Sequence, residues 1–294
     1  MTVELFKGFA YFFYMGIFIL FWVGSVLFLK NKSEAFKRRY IASILFFALI
    51  LHFLKLLFPP YFGDDTAIRK ITPENICALS TLTFPFIFLS KNRTLKDYMF
   101  YVGVLSGLLA VIIPIEALEK DAYIFAFDTI RFYVHHIILT VAPFLMVSSG
   151  LHQLNYHRLY RVPLMFLTVL GIILINEIIL IELGIVQMRN MDLFDVESYR
   201  NFSMIFGPRE IFPGAVNLLS FFVPTFMTKI PFGPFAGQIK YWPIIWMLIP
   251  SYVFVGGLSF LLSIFWERKH MKTDIINITE YIKKNLFLER SNKK

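Results

Sequence analysis

The chain has 294 residues, of which 57% are hydrophobic and only 17% charged. Soluble domains sit nearer ~45–50% apolar and ~25% charged, so the composition excludes a soluble globular domain and predicts an integral membrane protein. The formal net charge of +9 falls in short basic stretches between apolar runs. It reads as anchoring against anionic lipid and argues against nucleic acid as a partner.

Apolar runs at 9–29, 40–58, 71–89, 98–118, 129–150, 162–184 and 243–266 reach or approach the ~20 residues needed to cross a bilayer. They predict an all-α, polytopic seven-helix transmembrane bundle over residues 1–266, with an exterior capping segment at 185–242. A basic cytoplasmic tail with a short amphipathic helix is expected at 267–294. The long uninterrupted runs lack the alternation of an outer-membrane barrel. The first run has no basic leader and no small-residue cleavage site, so it reads as a retained span rather than a signal peptide. Basic residues follow the first, third, fifth and seventh runs (Lys30 to Arg39, Lys91 to Lys96, Arg158 with Arg161, and the tail). By the positive-inside rule the N-terminus lies outside and the C-terminus in the cytoplasm of a cell-membrane protein.

The first span is rich in Phe and Tyr and reads as structural and lipid-facing. The second carries His52 and Lys55 in LHFLKLLF, both in its outer half. Lys55 is expected either to snorkel to the outer interface or to pair with a neighbouring carboxylate. The third opens ITPENICALS, where Pro73 suits a first turn and Glu74 the positive end of the helix dipole. Cys77 follows about one turn inside. Read alone, it is a small residue at a helix contact, since free Cys behaves as a small hydrophobe. It is the chain's single cysteine, which excludes an intrachain disulfide and a CxxC pair. Gly103, Ser106 and Gly107 in the fourth span are small residues of the kind that let membrane helices pack closely. Pro114 is expected to bend the outer end of that span.

The fifth span holds RFYVHHIILTVAPFL at 131–145. Histidine inside hydrocarbon is costly and marks a functional-site candidate. Phe132, His136 and Thr140 share one face, and His135 lies about 100° round with Arg131 and Leu139. The sixth span carries Asn176, Glu177 and Glu182, with Asn176 at about the depth of His136. The outer halves of several helices therefore carry polar residues while the inner halves are nearly free of them, which predicts a polar pocket opening toward the exterior leaflet. The segment 185–242 is broken repeatedly by Pro and Gly and is expected to lie on the membrane or re-enter it as a cap.

Three local patterns resemble the YwaF family of bacterial integral membrane proteins and their eukaryotic relatives, the transmembrane-protein-164 acyltransferases. Pro73-Glu74-Asn75-Ile76-Cys77 resembles that family's Pro-x-His-x-Cys opening, with Asn75 standing where the family often has His. Tyr133-Val134-His135-His136-Ile137-Ile138-Leu139, ending in Ala142-Pro143, is similar to its Tyr-Ile-Gln-His-Val-Met-Leu stretch. Asn201-Phe202-Ser203-Met204, with Trp242-Pro243 downstream, is similar to its Asn-Tyr-x-Met and Trp-Pro segments.

The resemblance implies a membrane-embedded acyltransferase or acyl hydrolase working on membrane phospholipids, with Cys77 as nucleophile and His136 as its base. A thiol in an apolar site needs such a neighbouring base to become thiolate. Asn75, Asn176, Asn201, His135, Lys55 and Glu177 are the candidate oxyanion or substrate-binding residues. No cofactor is expected. A metal held by His52, His135 and His136 is disfavoured, because adjacent histidines on one helix point apart. Phosphate-loop, dinucleotide and Ser-hydrolase motifs are absent from the sequence. The competing readings are a proton-coupled or small-solute transporter lined by Lys55, Glu177, Glu182 and the histidines, and a purely structural membrane subunit.

Overall fold

The computed structural model describes residues 8–114, 123–189, 200, 201, 203–209, 214–229, 236–238 and 240–291. Among them there is no β-strand, and the core is built from helices α1 (Gly8–Leu29), α2 (Glu34–Leu54), α3 (Ile76–Leu89), α4 (Arg93–Ile112), α5 (Phe127–Ser148) and α6 (Arg161–Glu182). A short α7 (Ala215–Ser220) lies in the long connection, and α8 (Gly257–Ser291) closes the chain.

Helix starts follow local chemistry. Ser33, Asn75 and Asn92 each use a side-chain oxygen to accept a first-turn N–H, from Phe36, Ala78 and Leu95 respectively. Such caps satisfy donors that a helix leaves orphaned, at about 1 kcal/mol apiece.

α5 is the helix the others surround. In its apolar window 83% of residues are buried, against 22% in α1 and 33% in α6. α4 packs on it through glycine: a Cβ added at Gly107 would lie 2.9 Å from the His136 carbonyl oxygen and 3.1 Å from Thr140 N. α1 meets α5 through Tyr14 and Tyr133, whose rings stack at 3.9 Å and 5°.

Six helices are long and apolar enough to cross a membrane, and α3 is an apolar helix outside that class. The third run, expected as one span over 71–89, is divided. A 3-10 turn Ala67–Ile71 leads to extended Thr72, and the α-helix starts only after Asn75. Pro73 accounts for this, because proline disfavours a helical conformation in the residue before it. The remaining 14 residues span about 21 Å at 1.5 Å per residue, short of the ~30 Å hydrocarbon core.

The fourth helix was expected over 98–118 with a bend at Pro114. It ends at Ile112, and 115–118 lie outside the described residues. The last run begins irregularly, with a 3-10 turn Ile245–Met247, one turn Leu248–Pro250 and a π-helical Ser251–Gly256. The helix from Gly257 breaks at a kink at Glu267 (φ −117°, ψ 17°), and a second helical stretch runs on through the basic tail to Ser291. The tail beyond Glu267 is helical, joined to the last apolar helix across this kink.

The long connection folds back onto the bundle. Arg200, Asn201 and Phe206 are almost fully buried. Ile244 N donates to Ile205 O at 2.9 Å, and the Trp246 indole N–H donates to Met204 O at 3.0 Å. Met204 (φ 55°) and Ile244 (φ 64°) both take the left-handed region, strained for these side chains and held by this mutual bracing.

Candidate functional site at the start of α3 and α5

α3 and α5 bring Cys77 and His136 to one cavity of about 40 Å3, which Lys55, Asn75 and His135 also line. Asn176, Glu177 and Asn201 are not among its lining residues. Its volume holds a few waters at ~10–15 Å3 each, far below the ~300–1,000 Å3 of a drug-sized site.

Cys77 is half-buried in the first turn of α3, where the positive end of the helix dipole favours a developing negative charge. Thr81 Oγ1 donates to the Cys77 carbonyl at 2.9 Å. Asn75 accepts from Ala78 N through Oδ1 at 2.8 Å, which leaves its amide Nδ2 as a donor.

His136 Nδ1 lies 2.7 Å from Phe132 O. A carbonyl can only accept, so Nδ1 carries the hydrogen and Nε2 is the basic nitrogen of the neutral ring. His135 is held the other way. Its Nε2 lies 2.8 Å from Ala48 O on α2, and its Nδ1 accepts from Arg131 Nη1 at 3.3 Å. Both nitrogens of His135 are thereby occupied in tying α5 to α2 and to Arg131.

Around this pair lies a charged wall. Arg131 donates to Asp128 through Nε at 2.9 Å, and Tyr61 donates to the same carboxylate at 2.8 Å. Lys55 is 4% exposed, so it does not snorkel. Nor is a carboxylate within ion-pair reach among the described residues: its Nζ lies 5.7 Å from the Tyr61 ring centroid. Neither of the two arrangements expected for Lys55 is present.

Glu177 is held in a buried fork by Arg200, at 2.7 Å from Nε and 2.6 Å from Nη2. Arg200 Nη1 also reaches Glu74 at 3.3 Å, and Lys70 Nζ meets the same carboxylate at 3.0 Å. Asn176 Nδ2 donates to Thr72 Oγ1 at 3.1 Å, steadying the extended stretch before α3. Asn201 braces its own loop, accepting from Phe206 N at 3.1 Å and donating to Gly207 O at 3.2 Å. Arg200 and Tyr61 are the residues that sequence reasoning missed. Their partners lie far off in the chain, and neither stands in a pattern that marks it. Among the described residues no group of three or more His, Cys, Asp or Glu is arranged to hold a metal ion.

A family model described as the TMEM164 family matches residues 5–211, which takes in α1 to α6, Cys77, His136 and the Arg200 clamp. The chain belongs to the TMEM164 family. No curated protein and no solved structure matches it. The family match covers the pocket's lining residues throughout and ends before α8.

Proposed function

We propose that this TMEM164-family membrane protein transfers fatty acyl groups from a glycerophospholipid, through a thioester on Cys77. The observation that carries the reading is the shared cavity: the only cysteine of the chain and His136 line the same small polar space. His136 Nε2 takes the thiol proton, and the thiolate sulfur attacks the ester carbonyl carbon. The carbon–oxygen bond to glycerol then breaks, and His136 returns the proton to the departing lysolipid oxygen. A second lysolipid hydroxyl accepts the acyl group in transfer, and water accepts it in hydrolysis.

The Asn75 amide is the best-placed side-chain donor for the oxyanion, with Asn176 and Asn201 supporting the walls. Lys55 gives the substrate phosphate a counter-charge. In this reading His135 and Glu177 hold the frame. The family resemblance extends in the same proposal to bacterial YwaF-type proteins. α3 counts as a seventh, short crossing, with the N-terminus outside and the tail beyond Glu267 in the cytoplasm of a cell-membrane protein. What supports chemistry over solute passage is that Glu177, a carboxylate that a transport path would use, is clamped by Arg200.

The test is lipid turnover by purified protein in native-lipid vesicles, comparing the intact chain with Cys77→Ala and His136→Ala. Acyl exchange lost in both variants at unchanged melting temperature is the expected result. Activity persisting in Cys77→Ala would remove the nucleophile and the proposal with it.

A further inference from the structure

Beyond the other end of α5 lies a larger cavity of about 900 Å3, within the range of sites for small molecules and lipid headgroups. It shares no lining residue with the Cys77 pocket. One wall is cationic: Lys91 and Arg93 at the start of α4 and Lys96 one turn further in, beside Arg38 of α2, which is paired with Glu34 at 2.7 Å.

The acids of the opposite wall belong to α8 and engage the 156–157 turn. Glu267 accepts from Tyr156 N at 3.0 Å, and Asp274 accepts from the Tyr156 hydroxyl and from His157 Nε2. Arg158, although it lines the cavity, is neutralised by Asp97, at 2.6 Å from its Nε.

Lys96 is different. It is 9% exposed, and among the described residues no carboxylate lies within ion-pair reach. Its Nζ stands 5.9 Å from the Phe88 ring centroid. A buried ammonium without a counter-ion is unfavourable, and a cavity of this size beside it has room for an anion. Glu267 and Asp274 line the α8 side, so an anion is favoured against the α2–α4 wall. Several cations converging on one concave space match the multiple acceptor oxygens and charge of a phosphate group better than a lone carboxylate.

We infer that this cavity is a phosphate-binding site, with Lys96 as its buried ligand and the exposed Lys91 and Arg93 at its rim. The inference does not rest on the acyl-transfer reading, since the two cavities are lined separately. The phosphate belongs either to an anionic lipid headgroup from the adjacent leaflet or to a soluble phosphate compound.

The full chain in phosphatidylcholine nanodiscs is melted with and without phosphatidic acid in the disc, and separately with inorganic phosphate in the buffer. Stabilisation by at least one probe is expected. Phosphatidic acid acting alone assigns the site to a headgroup, and inorganic phosphate acting alone to a soluble ligand. In Lys96→Gln the apparent affinity should fall by about 30-fold or more, while Lys96→Arg keeps most of it. If Lys96→Gln does not fold, the exposed double variant Lys91→Gln, Arg93→Gln reads the same loss more weakly. No stabilisation by either probe overturns the site. So does equal stabilisation in the intact chain and in whichever glutamine variant folds.

Discussion

His135 and His136, neighbours in sequence, hold opposite tautomers, each fixed by a carbonyl oxygen: Ala48 O on the Nε2 of His135, Phe132 O on the Nδ1 of His136. Consecutive helix residues point about 100° apart, so one ring can serve the α2 contact while the other faces α3. The division separates frame from chemistry. His135→Ala removes the tie from α5 to Ala48 O of α2 and one hydrogen bond of the Arg131 guanidinium, a loss of about 1–3 kcal/mol. Its melting temperature should fall clearly. His136→Ala should melt near the intact protein and lose acyl exchange. Melting curves and lipid turnover on the two variants check both halves. Swapped outcomes would reverse the assignment of base and strut.

Gly107 sets how closely α4 approaches the base. A Cβ there meets the His136 carbonyl and the Thr140 backbone, atoms of a helix that cannot give way singly. Gly107→Ala should therefore cost about 1–3 kcal/mol by overpacking and disturb the Phe132–His136 turn. Gly103→Ala meets chiefly the Phe84 ring, with Leu139 O at 3.1 Å, and should cost less because a ring can tilt. Gly171→Ala on α6, where nothing lies within 4 Å, should be neutral or slightly stabilising through helix propensity. Thermal unfolding in one detergent ranks the three.

How much of this is legible in the chain depends on the range of the contact. The apolar runs name nearly every long helix, and the rarity of His in hydrocarbon marks the His135–His136 pair, whereas Cys77 reads alone as packing and is marked only by the family resemblance. The close packing at Gly103 and Gly107 is likewise readable, because small residues on a membrane helix have few other uses. The shortness of α3 is readable only in retrospect: Pro73 and Asn75 are both visible as helix-start residues, yet hydropathy alone runs through them. Tyr61 with Arg131, and Arg200 with Glu177 and Glu74, come together across tens of residues. One arginine in a loop carries no periodic signal of its destination. The second polar cluster, around Asp97, His152 and Arg158, is hidden for the same reason. Its members stand at helix ends and in a turn, where charge looks like ordinary solvated surface, yet Asp97 is 1% exposed.

Arg200 joins the long connection to α6 and to the entrance of α3. Both Arg200 and Glu177 are 1% exposed at the side chain, so removing Arg200 leaves the Glu177 carboxylate buried without the guanidinium that holds it, typically a loss of about 3–5 kcal/mol. Arg200→Met should lower stability by that order and loosen residues 200–209, seen as faster amide exchange there. Arg200→Met with Glu177→Leu should recover much of the loss, since both charges leave together. A double variant no more stable than Arg200→Met alone would mean that the clamp acts through Glu74 instead.

At the other end, Tyr156 ties the turn after α5 to α8 by donating its hydroxyl to Asp274. That hydrogen bond, with some burial, raises the phenol from its ordinary 10.0 to about 12. Its folded value thus lies above the unfolded one. The contribution to docking of α8 is complete below pH 10 and is lost as pH rises through about 12, because the phenolate cannot donate and repels the carboxylate. Limited proteolysis of the tail beyond Glu267 is the natural readout. The intact chain should become more cleavable across that window. Tyr156→Phe should be more cleavable already at neutral pH, with no further step on raising the pH. A Tyr156→Phe chain as protected as the intact one at neutral pH would show that Glu267, accepting from the Tyr156 backbone N–H, holds α8 in place without the hydroxyl.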